Sequence, residues 1–340
     1  MNVPSRSVAS TRGGICGFGL KNVMFSRILY NQMGHTERPI RPGGGTAARD
    51  IREAPVLVFG EVLLDCFPDG RRVLGGAPFN VAWGLKGFGR DPLLVSATGA
   101  DADGRAVREK MTAWGLRTDG LQTDRKHATG TVQVEFAGGE PRYDICMPRA
   151  WDFIGDDGFA AGKVLCHGLL ALRSETSRRT LEAIRERSPE AIRFFDINLR
   201  PPHDSRDLLR DWMQGADWLK LNLEELAAVT GETSLSLARC GEVLDRLRAD
   251  HGIGNVLLTA GAEGLMIRGG YGEAVCSPAP RVERLADTVG AGDSISAVAI
   301  DGLLRGAPAR EIAEKAGRFA SRICGLRGAG TEDKEFYRHE

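Results

Sequence analysis

The sequence predicts an α/β protein with a three-layer, doubly wound and mostly parallel sheet and a small β lid. First, short apolar runs that suit buried strands alternate with segments of helical periodicity from residue 55 onward. Second, the 340 residues are at the upper edge of what one α/β domain holds. Third, one segment of alternating polar and apolar residues interrupts this rhythm and predicts a separate β-hairpin.

The buried strands are predicted from apolar runs of three or four residues. These runs lie at residues 56–59, 93–95, 163–166, 192–195, 218–221 and 255–258. Between the runs, Val107, Met111 and Trp114 recur at helical spacing, and a second such series starts at Ile312. Strands that alternate with helices imply a mostly parallel sheet covered on both faces.

The lid is predicted from two segments. Residues 129–147 alternate around an AGGE turn, which is typical of a hairpin with one solvated face, and residues 62–74 add a shorter pair around PDG. Together they could form a small sheet over the carboxyl ends of the main strands, where α/β folds bind ligands. A plain surface hairpin is the alternative interpretation.

The two ends of the chain are predicted to lie outside the folded domain, which spans residues 55–332. Residues 1–54 are predicted to be a disordered extension, because no acidic residue precedes Glu37 and a GGG linker follows. The extension suits a transit peptide, a misplaced start or a functional segment. Residues 333–340 are predicted to be a C-terminal tail.

Composition excludes several partners. Lys plus Arg and Asp plus Glu both total 45, so no basic excess exists for nucleic acid or an acidic membrane surface. No apolar stretch reaches the roughly 20 residues that a membrane span needs. Seven cysteines without a CxxC pair favour free thiols in a reducing compartment. We therefore expect a cytoplasmic protein, or an organellar one if residues 1–54 are a transit peptide.

The strongest chemical signal is the sequence DTVGAGD at 287–293, which precedes a segment of helical composition. Gly290 and Gly292 leave backbone N–H groups unobstructed at the start of a helix, where an anion binds favourably. Asp293, in the first helical turn, could cap the helix or accept a proton from a hydroxyl that attacks a phosphoryl group. The motif alone leaves both roles open.

A second motif, GGAPFN at 75–80, suits a polyhydroxyl ligand. Gly75 and Gly76 allow close approach of the backbone, and Asn80 offers both a donor and an acceptor. Asp65, after the first strand, could accept hydrogen bonds from two vicinal hydroxyls. The alternative is a turn in which Asn80 caps the helix predicted over 81–89.

Two further motifs follow strands. In KLNLEE at 220–225, Asn222 and Glu225 share a helix face and could hold hydrated Mg²⁺, although the same spacing is that of a capping box. TAGAEG at 259–264 could bind a phosphate through its amides or be a simple β-turn. No Walker loop occurs, and the GxGxxA match at 43–48 follows no strand, which argues against an oxidoreductase.

The ordered set of motifs resembles the ribokinase family of PfkB-type sugar kinases over residues 55–332. The set comprises Asp65, GGAPFN, the hairpin, DINLR at 196–200, KLNLEE, TAGAEG and DTVGAGD. Within that family, the GGAPFN motif together with Gly60 and Glu61 is similar to fructokinases. The segment SISA at 294–297 departs from the family pattern and could alter packing behind the glycine motif.

The resemblance implies roles for individual residues. Asp293 would be the catalytic base, with an anion hole formed by the amides of Gly290, Ala291 and Gly292. The sugar would be held by Asp65, Gly75, Gly76, Asn80 and Arg200, with Glu135 or Tyr143 reaching it from the lid. ATP would contact Lys220, Asn222, Glu225, Thr259, Gly261 and Gly264. Asn222 and Glu225 would organise Mg²⁺ through water, and Asp287 and Val289 would hold a monovalent cation such as K⁺.

The implied activity is ATP-dependent phosphorylation of a primary hydroxyl of a small sugar, with fructose to fructose 6-phosphate as the first expectation. Alternatives within the family are 2-keto-3-deoxygluconate, ribose and adenosine. A non-catalytic sugar- or nucleotide-binding regulator is the alternative from another class. By analogy, a homodimer through the lid is expected.

Overall fold

The computed structural model describes residues 52–137, 140–270, 274–282 and 284–338. Residues 1–51, and with them nearly all of the predicted extension, lie outside this range. The predicted boundary at residue 55 is wrong by three residues, because the first strand begins at Arg52 and Ala54 is fully buried in it.

Thirteen strands and nine α-helices occur in the described part of the chain. The strands are β1 Arg52–Phe59, β2 Leu63–Cys66, β3 Arg72–Gly75, β4 Leu93–Gly99, β5 Leu121–Asp124, β6 Gly130–Ala137, β7 Glu140–Ile145, β8 Phe159–His167, β9 Ile192–Asp196, β10 Trp218–Asn222, β11 Asn255–Thr259, β12 Leu265–Gly269 and β13 Val275–Ser277. The helices are α1 Ala77–Gly87, α2 Ala102–Trp114, α3 Glu175–Arg187, α4 Arg206–Met213, α5 Leu223–Thr230, α6 Gly241–His251, α7 Ala291–Arg305, α8 Ala309–Ile323 and α9 Glu335–Arg338.

The main sheet has nine strands in the order β13-β12-β11-β10-β9-β8-β1-β4-β5. Neighbours from β11 to β5 pair in parallel, whereas β12 and β13 are antiparallel at one edge. All predicted apolar runs lie in strands of this sheet, so the prediction of a mostly parallel sheet is confirmed. The chain order changes direction beside β1, which is where such sheets leave a crevice for a ligand.

Helices cover both faces of the sheet because its strands are apolar on both sides. In β1, Leu57 and Phe59 face one core, to which α3 to α6 contribute, whereas Val56 and Val58 face the other. The second core receives side chains from α1, α2, α7, α8 and α9. This alternation along one strand produces the three layers that the sequence predicted.

The two predicted lid segments form one separate sheet of four strands, in the order β3-β2-β6-β7. Strand β2 joins them, since it pairs antiparallel with β3 and parallel with β6. The interpretation as independent surface hairpins is therefore wrong. Because β2 follows β1 closely in the chain, the small sheet is attached at the carboxyl end of a central strand of the main sheet.

The predicted C-terminal tail is not a tail. Residues 335–338 form α9, and the side chain of Tyr337 is only 3% exposed. Its ring packs edge-on against Phe88 and lies beside Trp114 and Phe319. A helix of four residues is not stable by itself, so aromatic packing rather than helix propensity holds α9 in place.

The six described cysteines are free thiols. Cys166 and Cys240 are buried, whereas Cys276 is exposed on the edge strand β13. None of the helices in the described ranges is both long and apolar enough to cross a membrane.

Candidate active site

Polar side chains gather at the carboxyl edge of the central strands. Asp196 ends β9, Asn222 ends β10 and Thr259 ends β11, and these strands are parallel neighbours. The register places Asn222 directly opposite Thr259. The parallel topology thereby brings together motifs that are far apart in the sequence.

Asn80 lies inside the first turn of α1 and does not cap it. The helix begins at Ala77, four residues earlier than predicted, and Gly76 is the N-cap with φ of 106°. The backbone N–H of Asn80 accordingly donates to the Gly76 carbonyl at 2.8 Å. The side chain is left to donate from Nδ2 to Oδ2 of Asp293 at 2.7 Å.

Asp293 is in the first turn of α7, and that helix has no side-chain cap. The carboxylate is bound by Asn80 instead, so the capping alternative is wrong. Burial and the nearby charge of Asp196 raise the pKa of Asp293, although Lys220, Asn80 and Arg200 oppose the rise. A carboxylate held in this way is a stronger base than an exposed aspartate.

A buried ion pair lies beside this turn. Lys220 Nζ donates to Asp196 Oδ1 at 3.0 Å, and Ser296 Oγ donates to Asp196 Oδ2 at 2.8 Å. Burial alone would lower the pKa of Lys220, but the carboxylates around it raise the value, so the ammonium is charged. Ser296, from the segment that departs from the family pattern, therefore has a partner of its own.

The ammonium of Lys220 points at the glycine turn. A Cβ placed on Gly292 would lie 3.0 Å from Lys220 Nζ. The N–H groups of Gly292 and Asp293 belong to the first helical turn, which offers them no acceptor. Two amides and one cation thus converge at the amino end of α7, as an anion-binding site requires.

Gly290 and Ala291, the other two residues of the turn, are constrained by their surroundings in the protein. Gly290 adopts φ of 79°, and a Cβ there would lie 2.4 Å from the Cα of Ala329, so only glycine fits. The N–H of Ala291 is 3.3 Å from the carbonyl oxygen of Thr288. Of the three amides predicted to form the anion hole, that of Ala291 therefore already has an acceptor.

Asp287 ties the turn to the segment around Gly328. Its Oδ1 accepts the N–H of Val289 at 3.0 Å, and its Oδ2 accepts the N–H of Gly328 at 3.3 Å. Val289 is exposed at 40% of its surface. The two residues predicted to hold a monovalent cation thus lie together in one loop beside the anion site.

Asn222 and Glu225 form the capping box that was the alternative reading of their motif. Asn222 Oδ1 accepts the N–H of Glu225, and Glu225 Oε2 accepts the N–H of Asn222, both at 2.8 Å. Glu225 Oε1 also accepts the N–H of Leu199 at 2.9 Å. Burial raises the pKa of Glu225, and the charge of Lys220 lowers it. Each carboxylate oxygen keeps a lone pair, which suits water-mediated contact with a metal.

The segment 259–264 is the tight connection between the antiparallel strands β11 and β12. The N–H of Ala260 donates to the Gly264 carbonyl at 2.8 Å, which closes the turn. A Cβ on Gly264 would lie 2.1 Å from the Ser277 carbonyl oxygen, so packing against β13 already requires glycine there. The simple turn predicted as the alternative is present, with Thr259 at the sheet edge.

The end of the site that is predicted to bind sugar contains Asp65 and Arg200. Burial raises the pKa of Asp65 to about 6, and the charge of Arg200 opposes this. A Cβ on Gly75 would be 3.6 Å from Asp65 Oδ2, so this backbone runs close beside the carboxylate. The exposed Arg200 guanidinium donates to the Leu199 carbonyl at 2.8 Å and has no ion pair among the described residues.

The lid brings Tyr143 to the site but not Glu135. In the β6–β7 pair, Tyr143 is opposite Val134, whereas Glu135 is opposite Arg142. Because side chains alternate along a strand, Glu135 lies on the other face from Tyr143. Burial and the nearby charge of Asp65 raise the pKa of Tyr143. The residue is nevertheless 53% exposed.

Glu61 is a residue near the site to which the sequence interpretation assigned no role. It follows β1 and is only 3% exposed, and burial raises its pKa to about 7. Arg200 and Asp293 are the charged groups that act on it. The available signal was a carboxylate inside the apolar run VLVFGEVLL, where an unpaired charge is costly.

The fold and this site define a sugar kinase of the ribokinase type. Residues 56–335 match the pfkB family carbohydrate kinases, and the chain belongs to that family. It is 32% identical over 283 residues to a fructokinase of Klebsiella pneumoniae, covering 78% of this chain and 88% of the relative. It is 30% identical over 268 residues to a fructokinase of Escherichia coli, covering 74% and 84%.

Solved structures share the fold. A Vibrio cholerae fructokinase with bound fructose, ADP and calcium matches with a TM-score of 0.71 at 24% identity, over 83% of this chain and 97% of that one. Aminoimidazole riboside kinase from Salmonella enterica also reaches 0.71, at 21% identity, over 85% and 100%. The family assignment and the fructokinase relatives establish an ATP-dependent carbohydrate kinase.

Proposed function

We propose that the protein transfers the γ-phosphoryl group of ATP to the primary hydroxyl of a small sugar, converting fructose to fructose 6-phosphate. The observation that carries the proposal is the Asn80–Asp293 hydrogen bond of 2.7 Å at the amino end of α7. It joins the motif predicted to bind sugar to the motif predicted to bind phosphate. A hydroxyl that docks beside Asn80 is thereby next to a carboxylate base.

In this proposal Asp293 accepts the proton of the attacking hydroxyl as its oxygen bonds to the γ-phosphorus. The bond from the γ-phosphorus to the β–γ bridging oxygen breaks, and ADP leaves with the electron pair. The amides of Gly292 and Asp293 and the Lys220 ammonium oppose the negative charge that gathers on the phosphoryl oxygens. Little covalent help is needed, because alignment and charge neutralisation supply most of the rate enhancement.

Metal ions fit two places beside this turn. Asn222 and Glu225 would hold Mg²⁺ through water, since their backbone bonds leave oxygen lone pairs free. The ion would supply positive charge to the ATP phosphates. Asp287 and the loop at Val289 would hold a monovalent cation such as K⁺, and Thr259 and the turn to Gly264 would contact the nucleotide.

The sugar would lie between Asp65, the backbone at Gly75 and Gly76, and Asn80. Asp65 accepts from two vicinal hydroxyls, and Arg200 and Tyr143 close the site from two sides. Fructose is favoured because relatives from Klebsiella pneumoniae and Escherichia coli are fructokinases at 32% and 30% identity.

An acidic sugar such as 2-keto-3-deoxygluconate is the second candidate. The observation that favours it is the exposed guanidinium of Arg200, which lacks an ion pair in the described part of the protein. A guanidinium of this kind suits a carboxylate in a bidentate contact. Arg200→Gln would then weaken an acidic sugar much more than fructose.

The test is phosphoryl transfer from labelled ATP to a panel of fructose, ribose, adenosine and 2-keto-3-deoxygluconate, with Mg²⁺ and with or without K⁺. The proposal expects the highest kcat/KM with fructose. A higher value with 2-keto-3-deoxygluconate selects the second candidate. Sugar or ATP binding without turnover across the whole panel would instead indicate a regulatory binding protein.

A further inference from the structure

Glu61 has an unusual environment for a carboxylate. Its side chain is buried, and Oε2 has no hydrogen-bond partner in the described structure. The backbone N–H groups of Glu61 itself and of Ala77, the first residue of α1, lie near the carboxylate and lower its pKa. An unpartnered buried oxygen favours the neutral carboxyl over the charged one, because nothing replaces the lost hydration.

The loop that carries Glu61 is packed directly on the start of α1. A Cβ on Gly76 would lie 2.7 Å from the Glu61 carbonyl oxygen, and one on Gly60 would lie 2.5 Å from Cγ of Pro78. These two positions have room for glycine only, so the backbone of the loop packs closely against the start of α1. Asn80, one helical turn further on, therefore has its position set in part by the loop at Glu61.

The same residue faces the charges of the transfer site. Burial is the largest cause that raises the pKa of Glu61, to about 7. The charge of Asp293, in the first turn of α7, also raises it, whereas the charge of Arg200, in the loop after β9, lowers it. Such an interaction is mutual, so ionised Glu61 also disfavours ionised Asp293, although burial and the charge of Asp196 are the larger causes that raise the pKa of Asp293.

We propose that Glu61 is a positioning residue whose neutral form supports phosphoryl transfer: it fixes the first turn of α1 so that Asn80 meets Asp293, and it withholds a second negative charge from the incoming triphosphate. This inference rests on the proposed function, since it concerns the same site. Its consequence is a loss of activity on the alkaline side, where Glu61 ionises and repels the phosphate groups.

The kinetic test follows kcat/KM across the range from about pH 5 to about pH 9 in the full chain. The wild type is expected to lose activity severalfold as the pH rises through about 7, the pKa of Glu61. Glu61→Gln should keep the rise of activity on the acid side but lose the alkaline decline. The glutamine amide has nearly the same shape as the carboxylate and cannot ionise.

Asp101→Asn is the matched control. Asp101 caps α2 by accepting the N–H of Gly104 at 2.8 Å, so it is also a carboxylate at a helix start, and Asp293 is not among its partners. The control should retain the wild-type pH profile. An alkaline decline that persists in Glu61→Gln would overturn the proposal and leave Glu61 as a structural cap.

A second measurement does not depend on turnover. Carboxyl ¹³C NMR of the unliganded protein should show Glu61 titrating near 7, and this signal should be absent in Glu61→Gln. Titration of Glu61 at its ordinary value of 4.5 would refute the proposal even if the variant misfolds. Titration of Glu61 near 7 without turnover of any sugar would refute the proposed function alone.

Discussion

The amino end of α7 and the lid differ in how completely each is built before a substrate arrives. At α7, Asp196 accepts from both Lys220 and Ser296, and Asn80 donates to Asp293, all within 3.0 Å. On the lid, Tyr143 is 53% exposed, and its hydroxyl makes no hydrogen bond within the described structure.

We relate this difference to two tasks, phosphoryl transfer at the α7 end and the choice of sugar at the lid. Groups that oppose charge in a transition state work best when they are already fixed, because no reorganisation is then needed during the reaction. Residues that select among sugars can have mobile side chains, because they must meet different arrangements of hydroxyl groups. We therefore expect substitutions at α7 to act mainly on kcat and substitutions on the lid to act mainly on the sugar KM.

The largest effect is expected for Asp293→Asn, which removes the proposed base without changing the size of the side chain. The value of kcat should fall by about 10²–10⁴-fold, with the ATP KM nearly unchanged. Asp301→Asn is the control, because Asp301 is also a carboxylate on α7 but pairs with Arg90 and Arg305. That control should lower the melting temperature and spare kcat. Full activity in Asp293→Asn would exclude Asp293 as the base.

Asn80→Ala should have the next largest effect, because it breaks the bond that joins the two halves of the site. A hydrogen bond to a charged group is worth about 1.5–3 kcal/mol, so kcat/KM for the sugar should fall about 10–100-fold. The ATP KM should change little. Equal changes in both KM values would contradict the placement of Asn80 at the sugar end.

A suitable control for Asn80→Ala is Asn255→Ala. Asn255 begins β11, at the end of that strand away from Thr259, and its side chain donates to the Asp217 carbonyl. It should leave both KM values unchanged. A similar loss of kcat/KM in this control would show that the effect of Asn80→Ala comes from general destabilisation.

The sequence was sufficient for the architecture and for the motifs at the α7 end. The apolar runs predicted the central strands, and the glycines of DTVGAGD marked a turn where only backbone fits, as the contact between Gly290 and Ala329 shows. These features are local, since each depends on residue types at fixed spacing. The antiparallel strands β12 and β13, by contrast, were not predicted as strands.

Other features depended on contacts that no local pattern contains. Glu135 and Tyr143 could not be separated without the register of β6 against β7, because one residue of slippage exchanges the two faces. The burial of Tyr337 depends on aromatic residues from other helices. The early start of α1 was signalled, since Pro78 favours the first helical turn, but the helix was predicted only from residue 81.

The smallest effect is expected on the lid, and it tests which face meets the sugar. Tyr143→Phe removes the one neutral hydrogen bond that the hydroxyl is proposed to make with the sugar, worth about 1 kcal/mol, so the sugar KM should rise about fivefold with kcat nearly unchanged. Glu135→Gln, on the opposite face, should leave the sugar KM within about twofold of the wild type. A larger KM change in Glu135→Gln than in Tyr143→Phe would reverse the face assignment. A fall in kcat for Tyr143→Phe without a change in KM would mean that the lid takes part in the transfer step, and the division between a fixed α7 end and an adaptable lid would fail.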